Sequence, residues 1–106
     1  MAYEYTLDAL GDPMRRQIFD RLRSAPNSVV ALAEGLPISR PAVSQHLKIL
    51  KQAGLVTDQA RGTRRVYRVD RGGLSELRAW LDGFWEEARG VYEAEIQEQI
   101  DERKNT

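Results

Sequence analysis

The chain has 106 residues, so we expect one domain over residues 1–106, and 30% of the residues are charged. A hydrophobic content of 42% is typical of a folded globular protein and argues against disorder. The absence of cysteine excludes disulfides, thiolate metal sites and thiol redox switches. The N-terminus lacks a signal-peptide pattern, and no apolar run approaches the roughly 20 residues that span a bilayer, so a cytoplasmic protein is expected.

The net charge is zero, but the charges are unevenly distributed along the chain. Residues 1–39 carry a net charge of −1, residues 40–71 carry +6 and residues 72–106 carry −5. No carboxylate occurs from Ser39 to Thr57. This asymmetry predicts a middle segment that binds a polyanion and a C-terminal segment that faces elsewhere.

Helix signals recur through the first part of the chain. A first short helix is expected over Tyr5–Leu10. Asp12 followed by Pro13 predicts the N-cap and the first residue of a second helix. Ser28 is the predicted N-cap of a third helix, which covers Val29–Glu34.

The fourth predicted helix, over residues 39–53 with Ser39 as its N-cap, has an unusual outward face. On a helical wheel Val43, Leu47 and Leu50 fall on one side and are predicted to face the core. The opposite side has no acid, whereas a solvated helix of this length normally mixes both signs. Gln pairs with adenine, Ser bonds to either kind of base, and a small apolar side chain contacts a thymine methyl group. We therefore interpret this segment, here called the reading helix, as one that lies in a DNA groove.

After Gly54 the pattern changes from helical to strand-like. Residues 55–69, here called the wing, predict a β-hairpin with a turn at Arg61-Gly62. Gly72-Gly73 is expected to break the chain before a long last helix over residues 74–102. The predicted order is α-α-α-α-β-β-α, a mainly α fold with a small β-hairpin. Two short helices followed by a basic hairpin are typical of a winged helix-turn-helix.

Four blocks of the sequence resemble the ArsR family of bacterial regulators. They read LGDPMRRQI from residue 10, SRPAVSQHLKIL from residue 39, AGLV from residue 53 and GTRRVY from residue 62. The likeness covers nearly the whole chain, in order and at the family's spacing. It implies a homodimeric transcriptional regulator, usually a repressor, whose terminal helices form the dimer interface.

The candidate DNA-binding residues lie on the reading helix and the wing. The wing carries four arginines with no acid between Gln59 and Val69, which favours contact with phosphates or a narrow minor groove. The single histidine, His46, lies at the edge of the core face, and its role stays open between packing and DNA contact. The predicted DNA-binding residues are Ser39, Arg40, Pro41, Ala42, Ser44, Gln45, His46, Lys48, Lys51, Arg61, Thr63, Arg64 and Arg65.

The last helix carries more apolar surface than a domain of this size normally leaves in water. Burial against a symmetry mate, with the first helix alongside, is the simplest account, although part of the stripe must cover the chain's own core. A twofold pair places two reading helices about one duplex turn apart and predicts a pseudo-palindromic operator in double-stranded DNA. The predicted dimer-interface residues are Leu7, Leu10, Leu77, Trp80, Leu81, Phe84, Trp85, Val91, Tyr92 and Ile96.

The sequence offers little for metal binding or catalysis. The third helix lacks cysteine and no histidine follows His46, so the metal-sensing pattern of many ArsR-like proteins is not matched, and no metal or cofactor is expected. No residue pattern typical of an active site is found, so we predict that the protein is not an enzyme. One alternative is a winged-helix module whose C-terminal helix binds a partner protein or a small apolar ligand. Another is a sequence-tolerant architectural DNA binder.

Overall fold

The computed structural model describes residues 2–105, and the side chains of residues 4–105. This part of the chain forms five helices and three strands, in the order α1 (Ala2–Leu10), α2 (Pro13–Ser24), β1 (Asn27–Ser28), α3 (Val29–Glu34), α4 (Arg40–Gln52), β2 (Val56–Arg61), β3 (Arg64–Val69) and α5 (Arg71–Lys104). The strands make one antiparallel sheet with the order β1-β3-β2. The architecture is the predicted winged helix-turn-helix, with α4 as the reading helix and β2 and β3 as the wing.

Polar caps begin α2, α3 and α4 as predicted. Asp12 caps α2, Ser28 caps α3 and Ser39 caps α4, and each side chain accepts a hydrogen bond from a backbone N–H of the first turn. These caps satisfy donors that have no partner within a helix. The first helix begins at Ala2 and not at Tyr5, and the acidic Glu4 in its first turn favours the earlier start.

The core lies between α2, α3, α4 and the sheet, and the predicted inward face of α4 is confirmed. Val43, Leu47 and Leu50 are fully buried. They belong to one apolar cluster with Ile18 of α2 and Leu32 of α3. This packing fixes the rotation of α4 about its axis, so the polar residues of the reading helix must face outward.

The sheet has one strand more than the sequence predicted. The two-residue strand β1 pairs with β3, so that Asn27 lies opposite Tyr67 and Ser28 opposite Val66. Two residues are too few to show an alternating pattern, which explains why β1 was missed. The hairpin turn lies one residue later than predicted, since Arg61 still pairs with Arg64 and the turn contains Gly62, whose φ is 61°.

The predicted start of the last helix was wrong: the range 74–102 is replaced by Arg71–Lys104. Asp70 is its N-cap and accepts a hydrogen bond from the N–H of Gly72 at 2.9 Å. Gly73 does not break the helix but is buried in its first turn, where its N–H donates to the carbonyl of Gly54 at 3.0 Å. A Cβ atom at Gly73 would overlap that carbonyl oxygen, so glycine here permits a close approach of two backbones.

Beyond Leu77, every described residue of α5 is exposed, and we call residues 78–104 the projecting segment and residues 2–77 the body. The protein measures 75 × 25 × 22 Å, with a radius of gyration of 20.4 Å. A compact chain of this length would have a radius of gyration of about 13 Å. None of the helices within residues 2–105 is both long enough and apolar enough to cross a bilayer.

Candidate nucleic-acid interface

The exposed face of the reading helix carries the side chains that the sequence assigned to base contacts. Ser44, Gln45 and Lys48 are exposed, as is Pro41, and Ala42 is half-buried beside them. The helix has no acidic residue. The face therefore offers amide and hydroxyl groups, a cation and a small apolar group, the set that reads base edges in a major groove.

The N-terminus of the reading helix is open to solvent at Ser39 and Arg40. The Ser39 hydroxyl accepts a hydrogen bond from the N–H of Ala42 at 3.3 Å. Backbone N–H groups and the positive end of the helix dipole favour a phosphate at such a terminus. Groups of this kind contact the DNA backbone and not base edges.

The tip of the wing concentrates exposed positive charge. Arg61 and Arg64 lie directly opposite each other at the end of the hairpin, with Gly62 and Thr63 between them. Like charges in a cross-strand pair destabilise a hairpin in water. A nearby polyanion would relieve that repulsion, so the tip is a better surface for phosphate than for solvent.

An ion cluster joins the reading helix to the wing. The ammonium of Lys51 lies 2.6 Å from Oδ1 of Asp58, and a guanidinium nitrogen of Arg65 lies 2.7 Å from Oδ2. The hydrogen bond from Lys51, followed by that from Arg65, lowers the pKa of the Asp58 carboxyl. We call this group the Asp58 triad. It was missed in the sequence because the +6 count of residues 40–71 did not reveal which charges pair.

His46 is half-buried on the side of the reading helix. Its Nδ1 atom is buried and makes no hydrogen bond within the described residues. The pKa of Asp12, the N-cap residue of α2, is lowered chiefly by the hydrogen bond that its carboxylate accepts from the backbone N–H of Arg15. The position of His46 favours packing over base contact.

The apolar stripe of α5 remains uncovered over the projecting segment. Leu77 is half-buried, whereas Phe84 is 62% and Trp85 67% exposed. Trp80 stacks on Phe84 with a ring-centroid distance of 6.3 Å. Of the other predicted interface residues, Leu10 packs against the core, and the remainder are exposed: Leu7, Leu81, Val91, Tyr92 and Ile96.

The apolar stripe of α5 extends one helical turn further than predicted. Ile100 is 41% exposed and lies one helical turn beyond Ile96. Its spacing of four residues was a sufficient signal. Within the described residues, no three His, Cys, Asp or Glu side chains are grouped so that they could hold a metal ion.

The fold and this surface define a class: a winged helix-turn-helix protein with a basic wing beside an acid-free helix. Comparison with known proteins supports this class. A family model described as a helix-turn-helix domain matches residues 10–59. The HTH-type transcriptional regulator Rv2034 of Mycobacterium tuberculosis is 56% identical over 84 residues, which cover 79% of this chain and 78% of that protein. The transcriptional repressor SdpR of Bacillus subtilis is 36% identical over 76 residues, 72% of this chain and 84% of that protein.

Solved structures give the same answer. An ArsR-like transcriptional regulator from Rhodococcus sp. RHA1 superimposes with a TM-score of 0.78 at 30% identity, covering 88% of each chain. The homodimeric winged helix-turn-helix DNA-binding domain of Mb0332 from Mycobacterium bovis has a TM-score of 0.66 at 29% identity, covering 82% of this chain and 81% of that one.

The chain belongs to the ArsR family of helix-turn-helix transcriptional regulators. It is a DNA-binding regulator and, like these relatives, not an enzyme.

Proposed function

We propose that this protein is a homodimeric repressor that binds a pseudo-palindromic operator in double-stranded DNA and is not controlled by metal. The observation that carries the proposal is the outward face of α4: it is exposed, free of acids and held in a fixed rotation by three buried residues. The wing tip adds two exposed arginines. A surface built in this way suits a duplex better than it suits water.

The residues of this surface have separate roles in the proposal. Gln45, Ser44 and Ala42 read base edges together with Lys48, while Ser39, Arg40 and Pro41 position the start of the helix on the backbone. Arg61, Thr63 and Arg64 contact phosphates or the minor groove. His46 supports the helix from its half-buried site, and Lys51 and Arg65 act through the Asp58 triad.

In the proposed homodimer, a second copy of this chain covers the apolar stripe of α5. A monomer that leaves three large aromatic side chains of one helix more than 60% exposed has a hydrophobic face that nothing covers. The name of the Mycobacterium bovis neighbour, a homodimeric domain, supports a twofold pair. Such a pair would set two reading helices about 34 Å apart, one turn of duplex, which is the reason for expecting a pseudo-palindromic site.

The proposal of repression is supported by a relative, and the proposal that metal does not control the protein is supported by the amino-acid composition. SdpR is named a repressor. The chain has no cysteine and one histidine, which leaves carboxylates as the main ligand type, and carboxylates alone suit zinc and thiophilic ions poorly. In this proposal the protein acts in the cytoplasm, where bacterial DNA lies.

The test is a binding-site selection from random duplexes with the full chain, followed by affinity measurements at several salt concentrations. Gln45→Ala is expected to lose about 1–3 kcal/mol on the selected site and to relax preference at one position per half-site. Arg64→Ala should lower the salt slope by about one per half-site without changing sequence preference. Added zinc or chelator should leave the selected site occupied equally.

The controls make the same chemical changes on α2, away from the proposed surface. Gln17→Ala and Arg23→Ala remove exposed side chains and should leave affinity and salt slope unchanged. Failure of the wild-type protein to prefer any selected sequence over random duplex would refute the repressor proposal.

The alternative is a partner-binding module. A chain that is monomeric alone and binds a different protein through α5 would favour that alternative.

A further inference from the structure

Asp58 is an acid placed beneath two cations. Its side chain is 5% exposed, whereas those of Lys51 and Arg65 are 54% and 58% exposed. Each cation binds a different carboxylate oxygen, so both contacts exist at once. The carboxylate is therefore almost fully buried, whereas the two cations that it binds remain about half exposed.

The triad is built by the register of the wing. Asp58 lies opposite Tyr67, and Ala60 lies opposite Arg65, which makes Arg65 the diagonal neighbour of Asp58 on the same face of the hairpin. Lys51 lies in the last turn of α4. One carboxylate therefore bridges the two elements that the proposed function places on DNA.

We propose that Asp58 is a positioning residue that determines specificity: it fixes the wing relative to the reading helix and withholds two cations from sequence-independent phosphate contacts. This inference rests on the proposed function. Charge-assisted hydrogen bonds hold geometry better than solvated side chains do. Each lysine or arginine that is free to neutralise a phosphate strengthens binding to every sequence alike, so restraining two of them favours the sequences that the reading helix can recognise.

The test compares wild type with Asp58→Asn, which keeps the shape and removes the charge. Affinities for the selected operator and for random duplex are measured by fluorescence anisotropy over a range of salt concentrations. Asp58→Asn is expected to bind random duplex more tightly, with a salt slope steeper by about one to two per protomer. The ratio of specific to random affinity is expected to fall roughly tenfold.

Two control variants distinguish the positioning role of Asp58 from a general effect of removing one negative charge and from a loss of stability. Asp20→Asn makes the same charge change on α2, where Asp20 lies 3.7 Å from Arg23 with both side chains exposed, and should alter neither ratio nor slope. In the Asp58→Asn background, Lys51→Met should reverse part of the steeper slope. If Asp58 were merely structural, Asp58→Asn would lower the unfolding temperature and leave slope and ratio unchanged, which would overturn the inference.

A second variant is useful if Asp58→Asn folds poorly. Arg65→Gln removes the ion pair between Arg65 and Asp58 within the wing. It should lower the ratio of specific to random affinity a few-fold without steepening the salt slope. A ratio equal to that of wild type contradicts the positioning role. A wild-type protein that does not discriminate between duplexes would refute the proposed function itself, whereas a discriminating wild type with unresponsive variants would refute this inference alone.

Discussion

The body and the projecting segment each carry an apolar stripe at helical spacing, yet the two stripes have different surroundings. In α4 the stripe of Val43, Leu47 and Leu50 is fully covered by the chain's own helices and sheet. In α5 the stripe beyond Leu77 is exposed, with Phe84 and Trp85 more than 60% accessible. Periodicity thus predicts that a face will be covered but not which chain covers it. The body is expected to be stabilised from within, and the projecting segment by association.

The largest expected effect is in the body. Leu47→Ala should lower the free energy of unfolding by about 3 kcal/mol, because it leaves a cavity where the side chain is fully buried. Urea denaturation followed by circular dichroism measures this change. The matched control is Ile49→Ala, two residues away and 38% exposed, which should cost under about 1 kcal/mol. Equal losses for the two variants would mean that α4 packs differently.

The next largest effect is expected where the start of α5 packs against the chain after α4, at the contact between Gly73 and Gly54. Gly73→Ala should cost about 2 kcal/mol, since the new Cβ would overlap the carbonyl of Gly54 and the backbones must separate. Gly90→Ala in the same helix is the control, because its Cβ meets no atom within 4 Å of the described chain. That change should be neutral or stabilise the helix by up to about 1 kcal/mol. A neutral Gly73→Ala would contradict the close approach.

In the projecting segment the expected effect is on association. Trp85→Ala should weaken the dimer by about 1–2 kcal/mol, because large aromatic side chains buried in an interface are among the main contributors to its binding energy. Sedimentation equilibrium gives the dissociation constant. Glu86→Ala, on the opposite side of the helix, removes an exposed ion pair with Arg89 and should leave that constant unchanged. A dissociation constant for Trp85→Ala equal to that of wild type would show that Trp85 does not lie in the interface.

The smallest effect is at the edge of the body, in the Asp58 triad. Asp58→Asn should lower the free energy of unfolding at pH 7 by up to about 1 kcal/mol. Because the pKa of Asp58 is lowered in the folded protein, its contribution is present above the ordinary carboxyl pKa and is lost as the pH falls through the lowered value. The difference between variant and wild type should therefore disappear in acid. A difference that persists at low pH would have a cause other than the charge.

Features that depend on neighbouring residues were predictable from the sequence. The caps at Asp12, Ser28 and Ser39 each act on N–H groups within three residues, so the starts of α2, α3 and α4 followed from local chemistry. The inward face of α4 followed from its period. The same reasoning named the exposed polar face that forms the candidate interface.

Features that depend on distant residues were not predictable. The strand β1 exists because β3 pairs with it, and the burial of Gly73 depends on Gly54, which lies across a hairpin in sequence. The Asp58 triad needs both the register of the wing and the packing of α4 against it. In each case the local pattern was compatible with several arrangements, and long-range contacts selected one.

The joint at Gly54 has a mechanical consequence. The N–H of Gly73 donates to the Gly54 carbonyl at 3.0 Å, and the N–H of Asp70 donates to the Leu55 carbonyl at 2.8 Å. Main-chain bonds cannot relax by a change of rotamer, so the end of α4 and the start of α5 move together. With a rise of 1.5 Å per residue, the 34 residues of α5 extend for about 51 Å from this contact. A displacement of several ångströms at the far end of α5 would therefore need only a small rotation at this contact, next to the end of the reading helix.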